Sequence, residues 1–316
     1  MKNRTPKDLA ALATERRNRA AAELDTRSAL EIARIINSED TKVAPAVRRA
    51  LPQIAKAIDL IAAALARGGR VIYVGTGTSG RIAALDASEC PPTFNTSPET
   101  IQFVIAGGKK ALGAPVEASE DSRQLGVRDV KRKRPGKNDV VVGLAASGRT
   151  PYTIAALSYA RRHGAKTVAV TCARNSPLGK AAHLQIVAEV GPEVVAGSSR
   201  MKAGSAQKMI LNMLSTGAMA RLGRVYGNLM INVQLRNQKL AERGVGILQQ
   251  AVGVDRSTAK GAVQAAGNSV PVALIMLRAR VNRKEAERRL VAADGNVRNA
   301  ISNAGKRKVT SRRVKS

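Results

Sequence analysis

Glycines and hydroxyl side chains alternate in one short stretch of the chain. It reads VIYVGTGTSG over residues 71–80, an apolar run followed by the spacing Gly-x-Gly-x-x-Gly. A strand that leads through a glycine-rich turn into a helix presents backbone N–H groups and the positive helix end to an anion. Thr78 and Ser79 add hydroxyl donors to this turn. The stretch therefore predicts an anion-binding turn, although the spacing alone does not identify the anion.

The same glycine spacing occurs in dinucleotide-binding folds, which require one further feature. There, an acidic residue about 20 residues further on, at the end of the second strand, binds the ribose hydroxyls. The second predicted strand of this chain ends in IAGGKK, residues 105–110, with no carboxylate at its tip. The sequence therefore disfavours a nicotinamide site.

A second hydroxyl-rich turn follows the third predicted strand, in VVVGLAASGRTPYTIAAL over residues 140–157. Ser147 and Gly148 come directly after the strand, Thr150 is expected at a helix N-cap, and Pro151 at the first helical position. Helix capping alone could account for the hydroxyls of one loop. Two such turns at the carboxyl ends of strands in one sheet can instead surround a single phosphate, which predicts a phosphosugar ligand.

The elements that must position these turns alternate between strand and helix. Residues 1 to about 70 carry apolar residues at helical spacing, and short β-rich runs follow, separated mostly by helix-like segments. The runs cover residues 70–74, 101–105, 139–144, 166–172 and 184–190. Strands that alternate with helices predict an α/β fold with three layers, in which helices cover both faces of a parallel sheet.

Three regions are expected along the chain. Residues 1–245 would form the phosphosugar-binding domain with its N-terminal helices, and residues 246–304 a small domain of about three helices. Residues 305–316 are rich in lysine and arginine and are expected to form a disordered basic tail. The helical domain could either support a dimer or cover the site.

Charge is the most unusual bulk property of the sequence. The net charge is +30, which would attract nucleic acid, membrane surfaces or small polyanionic substrates. The basic residues are spread along helices, and only 2% of residues are aromatic, so the base-stacking pattern of nucleic-acid binding is missing. We therefore expect a small polyanionic substrate rather than nucleic acid.

The cysteine, histidine and apolar residues exclude several further classes of protein. Cys90 and Cys172 cannot form a disulfide framework, and the N-terminal stretch has no apolar region typical of an export signal. No run approaches the roughly 20 apolar residues that cross a bilayer. His163 and His183 are too few and too scattered for a metal site. We expect a cytoplasmic protein without membrane contact or bound metal.

Four segments resemble the sugar isomerase (SIS) domain family and, within it, the N-acetylmuramic acid 6-phosphate etherases. They are residues 75–94, 105–127, 140–157 and 193–233, the last reading EVVAGSSRMKAGSAQKMILNMLSTGAMARLGRVYGNLMINV. The resemblance runs from about Leu24 to Ile301. It implies a SIS-type sheet, cleavage of a lactyl ether on an amino sugar phosphate with water, and a homodimer with no metal or organic cofactor.

The implied reaction needs one base and one acid, each within hydrogen-bond reach of its target. The resemblance maps the two catalytic glutamates of the family onto Glu89 and Glu120. Glu89 is expected at the end of the helix that Ser79 opens, just before Pro91 and Pro92, which suits a proton donor. Glu120 is assigned as the base that removes the C2 proton. The two roles could be exchanged.

The helix between Ser79 and Glu89 raises a geometric difficulty. Ten residues of straight helix separate the two by roughly 15 Å, which a sugar phosphate does not easily span. Either the helix is shorter, or Glu89 serves a site that a second subunit completes. We predict the second arrangement, with the site at a dimer interface.

The segment around residue 200 adds Glu193, Ser199 and Lys202 as candidate substrate-binding residues. In the related isomerases a similarly placed glutamate and lysine lie at the sugar. The resemblance therefore implies that Glu193 helps to open the ring and that Lys202 binds the phosphate or the lactyl carboxylate. Packing at a helix N-terminus is the alternative.

Two other functions would use the same phosphate turns. A phosphosugar isomerase would not require the pair of glutamates. A regulator that senses a sugar phosphate would bind DNA, and the sequence shows no clear helix-turn-helix beside the sugar domain.

Overall fold

The computed structural model describes residues 15–116, 119–235 and 237–302 and divides into two units. The first unit runs to Pro91 and resumes over Thr96–Ala218, and the second comprises Pro92–Asn95 and the chain from Met219 onward. The boundary expected from the sequence is at residue 245. The predicted basic tail, residues 305–316, lies outside the described residues.

Among the described residues of the first unit, three helices precede the sheet, as the apolar spacing predicts. Helix α1 begins with a capping box, in which Ser28 and Glu31 each bond the other's backbone N–H. Short 3₁₀ turns at Arg19–Ala21 and Leu24–Thr26 lie ahead of it. The helices are α1 (Ala29–Asp40), α2 (Val43–Arg49) and α3 (Leu51–Ala66).

A sheet of five parallel strands forms the centre of the first unit, which confirms the predicted α/β fold. The strands lie in the order β2-β1-β3-β4-β5. Strands β1 and β3 are buried along their whole length, as expected where helices cover both faces. The strands are β1 (Val71–Gly75), β2 (Ile101–Ile105), β3 (Val140–Leu144), β4 (Lys166–Thr171) and β5 (Leu184–Val187).

Five helices follow or connect these strands. They are α4 (Gly77–Phe94), α5 (Arg123–Lys131), α6 (Pro151–Arg162), α7 (Pro177–Ala181) and α8 (Lys202–Arg221). Because α4 continues through Pro91 and Pro92, the expectation that Glu89 ends the helix is wrong. Proline cannot donate to the preceding turn. The helix nevertheless continues, and both Cys90 and Phe94, one turn apart, are buried.

In its described part, the second unit consists of helices joined by short turns from Gln238 onward, whereas residues 222–235 form no helix. Its helices are α9 (Gln238–Val252), α10 (Arg256–Ala265), α11 (Val270–Ala279), α12 (Arg283–Ala292) and α13 (Val297–Ser302). Ile231, Val245 and Leu248 share one apolar core with the later helices, which explains why the unit begins well before residue 245. Beyond residue 252 there are four described helices rather than three, because Arg280 ends α11 in the left-handed conformation without a glycine to signal the turn.

None of the helices in the described ranges combines the length and the apolar character that crossing a membrane requires.

Two glycine substitutions test the packing of the two units separately. An added Cβ at Gly75 would lie 2.8 Å from the backbone nitrogen of Gly80, so Gly75→Ala should lower the free energy of unfolding by about 1–3 kcal/mol. At Gly246, within α9, no described atom lies within 4 Å of such a carbon, apart from the two neighbouring residues and the backbone of the helix itself. Gly246→Ala should therefore raise stability by about 0.5–1 kcal/mol. Urea denaturation measures both, and a Gly75→Ala variant as stable as the parent would contradict the close approach.

Candidate active site

A polar cleft of about 310 Å³ lies at the carboxyl ends of strands β1 and β3. These strands are neighbours, but the connections that leave them run to opposite sides of the sheet, to β2 and to β4. Ligands of open parallel sheets bind at such a reversal point. The cleft is lined by hydroxyl side chains from three separate loops: Thr76, Thr78, Ser79, Ser147, Thr150 and Ser199.

The turn after β1 brings the start of α4 to the cleft. Gly77 has a φ of +49°, which favours glycine, and helix α4 begins at this residue. A Cβ at Gly80 would lie 2.5 Å from Cγ1 of Ile105, so the glycine lets the helix pack closely on β2. The first-turn N–H groups of α4, which have no intrahelical partners, are therefore placed at the cleft beside Thr78 and Ser79.

The turn after β3 places a second helix start at the cleft. Thr150 is the N-cap of α6 and Pro151 stands in its first turn, which confirms the predicted cap. The Thr150 side chain accepts no capping hydrogen bond from the described backbone, and Ser147 Oγ accepts one from the N–H of Arg149 at 3.3 Å. Helix capping therefore does not explain the Thr150 hydroxyl, which remains available to a ligand.

Gly148 acts within the turn rather than as a lining residue of the described cleft. Its φ is +64°, and a Cβ there would lie 2.4 Å from Cβ of Ser176. Its N–H donates to the carbonyl of Ala145 at 3.0 Å. This glycine lets the loop fold back tightly, so that Ser147 and Thr150 both reach the cleft.

Glu120 lies in the cleft beside these hydroxyls. Its Oε1 is 3.2 Å from the position that a Cβ on Gly77 would take, so the carboxylate lies against the first turn of α4. The backbone carbonyl of Glu120 accepts from the N–H of Tyr152 at 3.0 Å, which ties its loop to the start of α6. The structure thus brings Glu120 together with both hydroxyl-rich turns.

Arg81 holds the loop between β2 and Glu120 and lines the same cleft. Its guanidinium donates from Nε to the carbonyl of Ala111 at 2.9 Å and from Nη2 to that of Ala114 at 3.1 Å. Arg81 is not predictable from the sequence, because nothing in its local pattern shows that the loop returns to it. The guanidinium adds a positive charge beside the predicted phosphate site.

Glu89 occupies a different position from Glu120. It is exposed on α4 and is not among the described residues that line the cleft. Because α4 is a continuous helix, the ten residues from Ser79 to Glu89 correspond to roughly 15 Å. Within one chain, the structure does not bring the two candidate catalytic glutamates together.

A buried hydrogen-bond cluster fixes the helix that carries Glu89. Asp86 accepts from the hydroxyl of Tyr73 at 2.9 Å and from that of Ser215 at 3.0 Å, which joins α4 to β1 and α8. Burial raises the pKa of Asp86, although the two hydrogen bonds act in the opposite direction. The position of Glu89 is therefore set by the core of the first unit.

Glu193 and Lys202 are buried at the start of α8, and neither lines the cleft in the described part of the chain. The Glu193 carboxylate accepts from the backbone N–H groups of Lys202 and Ala203 at 3.0 and 2.9 Å. Lys202 Nζ donates to Oε2 of Glu39 at 2.5 Å. Packing at a helix N-terminus, the alternative left open by the sequence, describes this arrangement, whereas Ser199 from the same loop does reach the cleft.

Glu39 is the partner that the sequence analysis missed. It lies near the end of α1, only 2% exposed, and accepts from both Lys202 and Lys42. Burial alone would raise the pKa of Glu39, but the hydrogen bonds from these two lysines lower it to about 2. The charge is therefore retained inside the protein because two cations compensate for its lost hydration.

Two domain descriptions match the chain. "Glucokinase regulatory protein N-terminal SIS domain" matches residues 53–161, and "SIS domain" matches residues 133–217. Together the two ranges include all five strands and the turns that form the cleft. Fold and site therefore define a SIS-domain protein.

Curated relatives match nearly the whole chain. One from Edwardsiella ictaluri is 51% identical and covers 93% of this chain and 98% of its own. Relatives from Clostridium beijerinckii and Aeromonas hydrophila are each 50% identical, over 92% and 91% of this chain and 95% and 97% of theirs. All three bear the name N-acetylmuramic acid 6-phosphate etherase. This chain belongs to the N-acetylmuramic acid 6-phosphate etherase family, which confirms the resemblance drawn from its sequence segments.

The buried pair of Glu39 and Lys202 predicts a pH-dependent stability. Because the folded-state pKa of Glu39 lies near 2, below its ordinary value of 4.5, this group stabilises the fold above about pH 4.5. The contribution, roughly 3 kcal/mol, is lost as the pH falls from about 4.5 towards 2. Glu39→Gln should therefore be less stable than the parent at pH 7, and the difference should shrink on acidification.

Urea unfolding at several pH values measures this difference. Glu189→Gln is the matched control, because Glu189 forms an exposed ion pair with Arg174 whose loss should cost less than about 1 kcal/mol. If the free energy of unfolding of Glu39→Gln stayed below that of the parent by a constant amount down to pH 3, the lowered pKa of Glu39 would be contradicted.

Proposed function

We propose that this chain cleaves the D-lactyl ether of N-acetylmuramate 6-phosphate with water, giving N-acetylglucosamine 6-phosphate and D-lactate. The observation that carries the proposal is a single cleft in which Glu120 lies between two hydroxyl-rich helix starts. The helix starts fit a phosphate, and the carboxylate fits an acid–base step on the attached sugar. Family membership supports this substrate over other phosphosugars.

The phosphate is proposed to lie against the turns that follow β1 and β3. Thr78, Ser79, Ser147, Thr150 and Ser199 offer hydroxyl donors there, and the first turn of α4 offers backbone N–H groups. Both helices point their positive ends at this position, which favours an anion. Gly148 shapes the second of these turns, and Arg81 adds a cation at the rim.

The ether at C3 is a poor leaving group, so the reaction needs acidity at the neighbouring carbon. Ring opening exposes an aldehyde at C1, which acidifies the proton on C2. Glu120 acts as the base and removes that proton, and the C2–H electron pair forms a C2–C3 double bond. At the same time the C3–O bond breaks, and a separate acid protonates the departing lactate oxygen. Water then adds to C3, and the proton returns to C2. The scheme requires neither a metal nor an organic cofactor.

Glu89 is proposed as the acid, supplied by the second subunit of a homodimer. Its exposure and its distance along α4 keep it from the cleft of its own chain. An exposed carboxylate on a rigid helix can instead complete the cleft of a neighbour, and a two-fold dimer would then contain two such shared sites. The roles of base and acid remain exchangeable between Glu120 and Glu89.

Glu193 and Lys202 are proposed to act on the substrate through the loop that they fix. Glu193 holds the first N–H groups of α8, and Lys202 is paired to Glu39, so neither polar group faces the cleft. Together they determine where Ser199 lies. We therefore assign them positioning roles in place of the direct sugar contacts that the resemblance implied.

The charge of the chain fits this substrate. A phosphate and a lactyl carboxylate make it a compact polyanion, which a net charge of +30 attracts over long range. Both cysteines are free and buried, in keeping with the proposed cytoplasmic location. Nucleic acid is not required to explain the basic character.

Water labelled with ¹⁸O tests the reaction. Turnover of N-acetylmuramate 6-phosphate should place the label on C3 of the sugar product and none in lactate, because the C3–O bond breaks and water adds to C3. Mass spectrometry of the two products measures this. Label in lactate would contradict the elimination scheme, a ketose product would indicate a phosphosugar isomerase, and binding without turnover would indicate a regulatory protein.

Complementation tests the shared site. Glu89→Ala and Glu120→Ala should each lower kcat by a hundredfold or more, since each removes one proton-transfer group. A heterodimer of the two variants, co-expressed with different affinity tags, has one site with both glutamates intact and should recover about half of the parental activity. If both glutamates acted within one chain, the purified heterodimer would stay inactive.

A further inference from the structure

The cleft contains a second carboxylate that the proposed mechanism does not use. Glu15 lines it together with Glu120 and the hydroxyl-rich turns. We propose that Glu15 binds the sugar itself, by accepting hydrogen bonds from a hydroxyl or the amide N–H of the bound phosphosugar. This assignment rests on the proposed function, and it adds a specificity-determining residue to that site.

Contacts place the Glu15 carboxylate against the loop that leads into α8. Its Oε2 lies 3.2 Å from the position that a Cβ on Gly197 would take. Gly197 has a φ of +80°, and Ser199, two residues further on, lines the same cleft. The carboxylate and the Ser199 hydroxyl therefore belong to one wall, which is formed by two segments distant in sequence.

Asn18 anchors the segment that carries Glu15. Its Nδ2 donates to the carbonyl of Pro192 at 3.3 Å, and its Oδ1 accepts from the N–H of Ala20 at 3.0 Å, which caps the first 3₁₀ turn. Asn18 also hydrogen-bonds Glu39, the carboxylate paired with Lys202. One hydrogen-bond network, buried at Glu39 and Lys202 and partly exposed at Asn18, thus joins the Glu15 segment to the loop that carries Ser199.

The chemistry of the carboxylate decides which part of the substrate it can bind. A carboxylate accepts hydrogen bonds and repels a phosphate, so the phosphate belongs with the hydroxyl donors of the two helix starts and the N–H donors of α4. Sugar hydroxyls and the acetamido N–H are donors, and hydrogen bonds to charged groups are among the stronger ones. Glu15 at an exposed position of the cleft therefore fits the sugar end of the ligand.

Binding of two probes tests this assignment. The dissociation constants of N-acetylglucosamine 6-phosphate and of inorganic phosphate would be measured by calorimetry for the parent, Glu15→Ala and Glu15→Gln. Glu15→Ala should weaken the sugar phosphate by about 10- to 100-fold, and Glu15→Gln by less, because the amide oxygen can still accept. Inorganic phosphate should bind the parent and both variants equally or slightly more tightly in the variants, since a repelling charge is removed.

Glu23→Gln is the matched control. Glu23 is an exposed carboxylate of the same segment, paired loosely with Arg27 at 3.8 Å, and it does not line the described cleft. The Glu23→Gln variant should bind both N-acetylglucosamine 6-phosphate and inorganic phosphate with dissociation constants within twofold of those of the parent. Thermal unfolding of each variant shows whether the fold is retained, and Glu15→Gln, which keeps the shape of the side chain, still tests the contact if Glu15→Ala unfolds.

The outcomes separate this inference from the proposed function. A sugar-phosphate affinity in Glu15→Ala within twofold of the parent, or an equal loss for inorganic phosphate, would overturn the role of Glu15. A parent protein that binds N-acetylglucosamine 6-phosphate but releases no lactate from the etherase substrate would overturn the proposed function alone. In kinetics, the inference predicts a raised KM with a smaller change in kcat for Glu15→Gln.

Discussion

The arrangement of this site depends on the point in the parallel sheet where the strand order reverses. Strands β1 and β3 lie side by side, but their connections leave in opposite directions. The starts of α4 and α6 therefore meet at one cleft, each with a partial positive charge, and the first turn of α4 adds N–H groups without intrahelical partners. Hydroxyl side chains alone are weak ligands for phosphate. Two helix starts that converge on one position give this part of the cleft a positive electrostatic character, which favours an anion.

A buried network of charges supports the loop that carries Ser199 to the cleft. Glu39, Lys202 and Glu193 take charge into the core, which costs hydration and is tolerated only where each group is paired and hydrogen-bonded. The same network holds Asn18 and the loop that ends in Ser199. Glu193 and Lys202, which the sequence offers as substrate ligands, thus determine where Ser199 lies in the cleft. In the proposed function, Glu193 and Lys202 act by fixing the position of this loop.

Much of the fold was predictable because it depends on local periodicity. The predicted runs at 101–105 and 139–144 lie within one residue of β2 and β3, since short apolar runs between helical segments specify buried parallel strands. The N-cap at Thr150 was likewise readable from a threonine followed by proline. The end of α4 was not, because burial of Cys90 and Phe94 outweighs the local effect of two prolines. The turn at Arg280 was also not predictable from the sequence, because a non-glycine residue takes the left-handed conformation there.

The sequence by itself determined the fold class, the two hydroxyl-rich turns and the family, because all three are encoded in contiguous residues. Only the tertiary structure decided that Glu120 and Glu15 share a cleft, that Glu89 stays outside it, and that Lys202 is paired with Glu39. These relations join residues that are far apart along the chain, and their side chains meet only after the sheet has formed. The reason is physical: hydrogen-bond partners and burial are set by packing, which local spacing does not specify.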